Sequence, residues 1–589
     1  MRARCVGSGP PGNRLLLGSP HTLSRLPVSR FAFRPLRAAI SAAVVIGVLA
    51  PSGVVAATDR LPDLRMAPLS NFYTETSDGE RRLRFRTIMT NEGTGPLEVR
   101  GTRDTLTQPH LRTRQAIHDT DGAVRLVDSR ALMEYAIDGH DHWHIQGVML
   151  YQLWSADGIT RRGTKVGFCF LDSYAYDLTL PGAPGSQVYP EHLCGDRGDL
   201  TNRMGLSVGW GDDYPANFAY QWIDISTLPP GDYTVQARAD EANWYLESNE
   251  TNNCAWARVR IGATNGTVPI LASGRDCLTV PASTARVERQ YGNNRYETAA
   301  AASEDAFAPG VPVVYVATGA NFPDALAAGA AAGFQGGPVV LVERNYLPAL
   351  AITELERLDP NRIVIVGGTS VISDYVAGLV GRFHTGGGTT RVAGADRYAT
   401  AAAISNAFSP DVPAVYVAAG RNWPDALAAV PHAARAGAPV LLTLPNELPQ
   451  ATRDALTRLR PAQVIVLGGT VAISASVASA LDAYDAGGGV LRLAGADRYA
   501  TAAAIARHHH PAGAPMAYLA TGENFPDALA AGAPAAIRGA PTLLVRAGSV
   551  PGPSATELQR LNPARVIVLG GPRVIGQAVF NALFAYADG

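Results

Sequence analysis

The chain has 589 residues, a formal net charge of -1 and 47% hydrophobic residues. Such a length exceeds what one hydrophobic core supports and predicts several domains. The near-neutral balance, without lysine-rich runs, argues against nucleic acid as the main partner.

Residues 1–57 read as a targeting segment. Arginines through Arg37 precede the apolar run Ala38 to Ala50, and small residues near Ala56 and Ala57 suit signal-peptidase cleavage. Export is therefore expected. The run is short for a bilayer span, and no later segment is long and apolar enough, so no membrane span is expected in the mature protein.

Residues 60–261 are rich in aromatics, Asp and Asn, with alternating stretches such as Arg82-Leu83-Arg84-Phe85-Arg86. Turn signals such as Pro229-Pro230-Gly231-Asp232 punctuate them, which predicts short antiparallel strands in an all-β domain. Within it, Gly139-His140-Asp141-His142-Trp143-His144 is the strongest chemical signal. On a strand, residues two apart share a face, so His140, His142 and His144 would present three imidazoles together. Three histidines with an open position suit a catalytic metal, copper, zinc, iron or nickel. His508-His509-His510, at an Ala-rich helix end, is expected to be an exposed turn.

Four cysteines follow the targeting segment, Cys169, Cys194, Cys254 and Cys277. An even number on an exported chain suits two disulfides, and no close Cys-x-x-Cys spacing suggests zinc. The chain also holds one lysine, Lys165, against 49 arginines. Arginine stays protonated, so a retained lysine suits a task that needs a free amine. Residues 262–285, rich in Gly, Thr, Pro and Ser, are expected to be a linker.

From there an Ala- and Gly-rich unit recurs three times, over 286–384, 391–482 and 491–587. Asn294-Arg295-Tyr296-Glu297-Thr298 returns at Asp396 and Asp497. Asn321-Phe322-Pro323-Asp324-Ala325-Leu326 returns at Asn422 and Asn524. Ile363-Val364-Ile365-Val366-Gly367-Gly368 returns at Val464 and Val566. Continuous apolar strands alternating with helices predict parallel α/β modules. Asp324, Asp425 and Asp527 follow a proline at a helix start, where the dipole favours negative charge, so capping is expected rather than catalysis.

Two resemblances emerge. Leu61-Pro62-Asp63-Leu64, the His-x-His-x-His run, Lys165-Val166-Gly167-Phe168-Cys169, Gly205-Leu206-Ser207 through Tyr214 to Gln221-Trp222-Ile223-Asp224-Ile225, and Glu247 to Asn253 resemble, in this order, the lysyl oxidase catalytic domain. The resemblance implies that His140, His142 and His144 bind a copper ion. It also implies that Lys165 and Tyr214 form a lysine tyrosylquinone, with Asp212 or, second, Asp213 as the base. Primary amines, peptidyl-lysine among them, would then be oxidised by molecular oxygen to aldehydes, ammonia and hydrogen peroxide. Animal members carry further cysteines, whereas Trp210 and Tyr220 stand here; a Cys169–Cys194 pairing is the expectation. The three repeats resemble the cell wall binding repeat 2 family of Gram-positive bacteria, which implies Rossmann-like modules in approximate threefold symmetry on an anionic wall polymer. Arg295, Arg397 and Arg498 would contact that polymer or form salt bridges within a repeat. The expected protein is a secreted, wall-tethered copper amine oxidase. A non-catalytic wall or adhesion protein is the main alternative, and a zinc hydrolase a weaker one.

Overall fold

The computed structural model describes residues 58–136, 141–165, 167–421 and 424–587. The targeting segment and His140 lie outside them. Among the described residues no helix is long and apolar enough to cross a membrane.

The first half is built of antiparallel sheets, as the alternation requires. In Glu80–Asn91, Leu83 and Phe85 are fully buried. Arg82 and Arg84 on the other face lie over the Trp222 ring, 4.1 and 4.7 Å from its centre, so their stems also cover apolar surface. One sheet runs in the order Gly167–Phe168, Trp143–Gln146, Val124–Tyr135, His110–Asp119, Leu97–Thr102, Thr201–Leu206. A second carries Trp210–Tyr214 beside Glu80–Asn91. A third pairs Met149–Trp154, Gly231–Ala239 and Cys254–Ile261.

The segment expected as a linker belongs instead to this β domain. Ile270–Gly274 pairs with Cys254–Ile261, Gly266–Thr267 pairs with Ser70–Ser77, and Cys277 is bonded to Cys254 with Cα atoms 5.0 Å apart. These strands are short and their residues exposed, so composition disguised them. The second disulfide joins Cys169 to Cys194, Cα atoms 5.9 Å apart.

Each repeat forms a four-stranded parallel sheet flanked by helices. The fourth strand always comes from the start of another repeat. Thr389–Val392 completes the first sheet and Leu491–Leu493 the second. Val287–Gln290, at the head of the first repeat, completes the third sheet against Arg565–Leu569. The three repeats therefore close into a ring. Pro323–Phe334, Val430–Arg435 and Gly532–Arg538 meet at its centre, where a methyl on Gly333 would stand 2.9 Å from Ala434 Cβ and 3.2 Å from Ala536 Cβ. Only small residues allow that approach.

The recurring motifs hold the ring. Asp324, Asp425 and Asp527 sit in the first turn of their helices, as expected. Their carboxylates occupy the space a side chain would take at Gly367, Gly468 and Gly570, all at positive φ, which explains the Gly-Gly pairs. Each also faces the Arg-Tyr-x-Thr motif of another repeat. Asp324 feels Arg397, Asp425 feels Arg498 and Thr501, and Asp527 feels Arg295 and Thr298. The arginines donate to backbone carbonyls of Gly319, Gly420 and Gly522. Their hydrogen bonds thus stay within a repeat, while their charges act on the Asp of another.

The histidine triplet is not the exposed turn expected. His508 is exposed, but His509 and His510 are half-buried, and His509 stacks on the buried His432 at 4.4 Å. The helix Arg498–His509 takes in the first two histidines of the triplet, and its end packs on the second repeat.

Candidate active site

The strand Trp143–Gln146 begins one residue after His142, and Trp143 points into the core between the two histidines. His142 and His144 share the opposite side, with their Nε2 atoms 2.9 Å apart and ring centres 4.7 Å apart. Gly167–Phe168 pairs antiparallel with this strand, Gly167 opposite Gln146 and Phe168 opposite Ile145. Continuing that register sets Cys169 beside His144. A methyl on Gly167 would lie 3.1 Å from His144 Nδ1, so only glycine leaves room for the imidazole. A ring nitrogen of His142 lies within 4.8 Å of both Cys169 and Cys194 sulfurs. Those sulfurs are consumed in the disulfide, which leaves the imidazole as the available donor of this group.

Cys169 also links the histidines to the tyrosine. Its carbonyl accepts the Tyr214 hydroxyl at 3.1 Å. Tyr214 ends the strand Trp210–Tyr214, and the Lys165 Nζ lies 5.2 Å from the centre of its ring. Phe168 stands edge-on to Tyr214 at 5.1 Å, with its own ring centre 5.3 Å from the same Nζ. Lys165, Tyr214 and Asp212 are 3, 6 and 2% exposed.

Asp212 shares a strand face with Tyr214, two residues away. Burial pushes its carboxyl well above the usual carboxylate range, against the pull of the Tyr214 hydroxyl and Lys165. Its Oδ2 is buried without a hydrogen-bond partner among the described residues. Burial, and then the Asp212 charge, push the Tyr214 hydroxyl well above its ordinary value. Asp213, facing the other way, is taken by Arg86 through two bonds of 2.8 Å.

Sequence reasoning missed the floor of the site. Tyr151 is fully buried, bonded to Thr87 at 2.7 Å and to Gln221, and burial, with a smaller push from the Asp212 charge, raises its hydroxyl above the ordinary value. Its signal was faint, an aromatic in the largely apolar strand Met149–Trp154.

Residues 98–269 match the lysyl oxidase family, and residues 289–377, 391–478 and 492–580 each match cell wall binding domain 2. Over 308 residues, 52% of this chain, it is 27% identical to N-acetylmuramoyl-L-alanine amidase LytC of Bacillus subtilis, spanning 60% of that protein. Over 125 residues, 21% of this chain, it is 31% identical to lysyl oxidase homolog 2 of Xenopus tropicalis, spanning 15% of that protein. Cwp8 from Clostridium difficile aligns with a TM-score of 0.49 and 22% identity, over 61% of this chain and 60% of that one. The chain thus spans less than two thirds of these relatives. Its architecture is a lysyl-oxidase-like domain followed by three cell wall binding repeats, that of a wall-associated protein.

Proposed function

We propose that the protein is a secreted, copper-dependent amine oxidase held on the cell wall by its repeats, which bind an anionic wall polymer. It would convert primary amines, peptidyl-lysine among them, to aldehydes, with ammonia and hydrogen peroxide released. One observation carries the reading. The chain's only lysine places its amine 5.2 Å from the centre of a buried tyrosine ring, beside a buried carboxylate. Neither a zinc hydrolase nor an adhesion module needs that triad.

The donor set fits a copper ion. Imidazole nitrogens suit copper, and nitrogens 2.9 Å apart have the spacing of two ligands each about 2.0 Å from one ion. His142 and His144, with His140, would hold it. Bound there, copper would let molecular oxygen oxidise the Tyr214 ring, to which the Lys165 amine adds to give lysine tyrosylquinone.

The chain's own residues do the rest. Phe168 touches both partners and fixes their separation while excluding water. The Cys169 carbonyl orients the tyrosine hydroxyl. Asp212 Oδ2 takes the proton from the substrate carbon next to nitrogen. Its raised proton affinity is what a base working near neutral pH requires.

The test is aerobic copper loading of purified protein, followed by visible absorbance, peptide mapping and a peroxide assay with simple primary amines. A crosslink between the segments bearing Lys165 and Tyr214, with peroxide release, is expected. Absence of both leaves the reading of a non-catalytic wall-attached protein.

A further inference from the structure

The first repeat is built against the site. Its helix Ala349–Leu358 meets the turn after the histidine strand, where a methyl on Gly147, at φ 71°, would stand 2.7 Å from Thr353 Oγ1. Tyr346 of the same repeat donates to Glu134 at 2.6 Å, and Glu134 is the cross-strand partner of His144. Beside Gly147 and Thr353 lies a cavity of about 20 Å³. Lys165, Tyr151, Gly163 and Arg162 of the β domain wall one side, Leu350 and Thr353 of the repeat the other.

A second cavity, about 340 Å³, follows the seam between the β domain and the repeats, and Arg162, Gly163 and Leu350 wall both. Carboxylates outnumber guanidiniums around it, and Glu297, Glu304 and Glu354 come from helices of the first repeat. Arg162 stands where the cavities meet, its Nη2 2.5 Å from Glu304 Oε1. Glu241 of the β domain and Glu354 add to the field on this guanidinium.

Resting on the amine-oxidase reading, we propose that the first repeat forms one wall of the substrate passage to Lys165 and selects slender, unbranched primary ammonium compounds, with Arg162 as the gate. The carboxylate-rich seam concentrates cations before they reach the buried site. An arriving ammonium replaces the Arg162 guanidinium on Glu304, one cation for another, and the freed side chain leaves the passage. The inner cavity has room for little more than one water, so an aminomethylene end passes where a branch or ring does not. Leu350 and Thr353 are then specificity-determining residues supplied by a wall-binding module.

The single lysine makes the test direct. In full-length, copper-free protein, Lys165 is the sole lysine side chain for reductive methylation with formaldehyde, and mass spectrometry of its peptide gives the rate. Leu350→Trp should slow this reaction several-fold and Leu350→Ala should speed it. Val471→Trp, on an exposed position of the second repeat, should leave it unchanged. Thermal unfolding checks each fold, and if the tryptophan variant misfolds, the alanine variant still decides. Labelling that ignores both Leu350 substitutions overturns the passage, whether or not quinone forms. In quinone-bearing protein, Leu350→Ala should raise kcat/KM for branched amines relative to linear ones; an unchanged ratio overturns the selectivity. No quinone in the unaltered protein would refute the oxidase reading and the amine with it, while the labelling rates separately judge the wall.

Discussion

The two halves of the chain use buried polar residues in opposite ways. In the repeats the recurring Asp, Arg and Thr meet one another across repeat boundaries, and the glycines opposite the Asp exist to make room. In the β domain, residues outside any repeated motif, the single Lys165 above all, converge on a ring, and a carboxylate oxygen has no hydrogen-bond partner among the described residues. Recurrence marks architecture here, and singularity marks chemistry. A buried acid left short of hydrogen bonds costs stability, so it persists where function uses it.

The sharpest break of this contrast is at the lysine. Lys165→Arg should keep the fold and metal content yet form no quinone, and peroxide release with any primary amine should fall to background. An active Lys165→Arg protein would refute the oxidase reading. Tyr214→Phe should behave the same way, since the ring then lacks the oxygen that the chemistry starts from.

Next in size is the carboxylate. Asp212→Asn should lower kcat by about 10²- to 10⁴-fold, the usual worth of a positioned base. Asp213→Asn should change it little, because Asp213 serves Arg86 on the other face. Equal losses from both substitutions, measured by stopped-flow reduction of the quinone, would remove Asp212 from its role.

Much of this was legible from residues alone. Period-two alternation announced the β domain, and the repeated motifs announced three α/β units, because both patterns are local. The lysine, tyrosine and histidines stood out by rarity or spacing. The floor residue Tyr151 did not, since an aromatic in an apolar strand looks like core. Threefold packing was implied by the resemblance, but the strand that closes the ring was hidden, because Val287–Gln290 pairs with a strand nearly three hundred residues away. Periodicity carries no information about such pairing. The strands at Gly266–Thr267 and Ile270–Gly274 were lost because their residues are exposed and turn-like.

That hidden closure yields a smaller effect. Asp527→Ala removes contacts with Arg295 and Thr298 at the far end of the repeat region. It should cost about 1–3 kcal/mol in denaturant unfolding, the price of unpairing buried polar groups. Asp425→Ala should cost a similar amount, since it breaks the equivalent seam. Independent repeats strung as beads would instead leave Asp527→Ala nearly silent, and that outcome would discard the ring.

The smallest expected effect concerns pH. Burial, then the neighbouring His509 and His510, hold His432 well below its ordinary value, and His509 falls to about 4. Arg435 and His508 also face the cluster and add to the depression. The folded repeats thus bind fewer protons than the unfolded chain, whose histidines titrate near about 6.5. Their contribution is complete above that value and is lost as pH falls toward about 4. His110, buried against Tyr346 and Tyr375 between the β domain and the first repeat, is also lowered to about 4 and adds to the same window. His432→Phe keeps a ring to stack on His509 but cannot take a proton. It should flatten the stability–pH curve between about 6.5 and 4 by up to about 1.4 kcal/mol per pH unit, one proton's worth. An unchanged slope in thermal unfolding across that range would mean that the cluster is wetter than its packing implies.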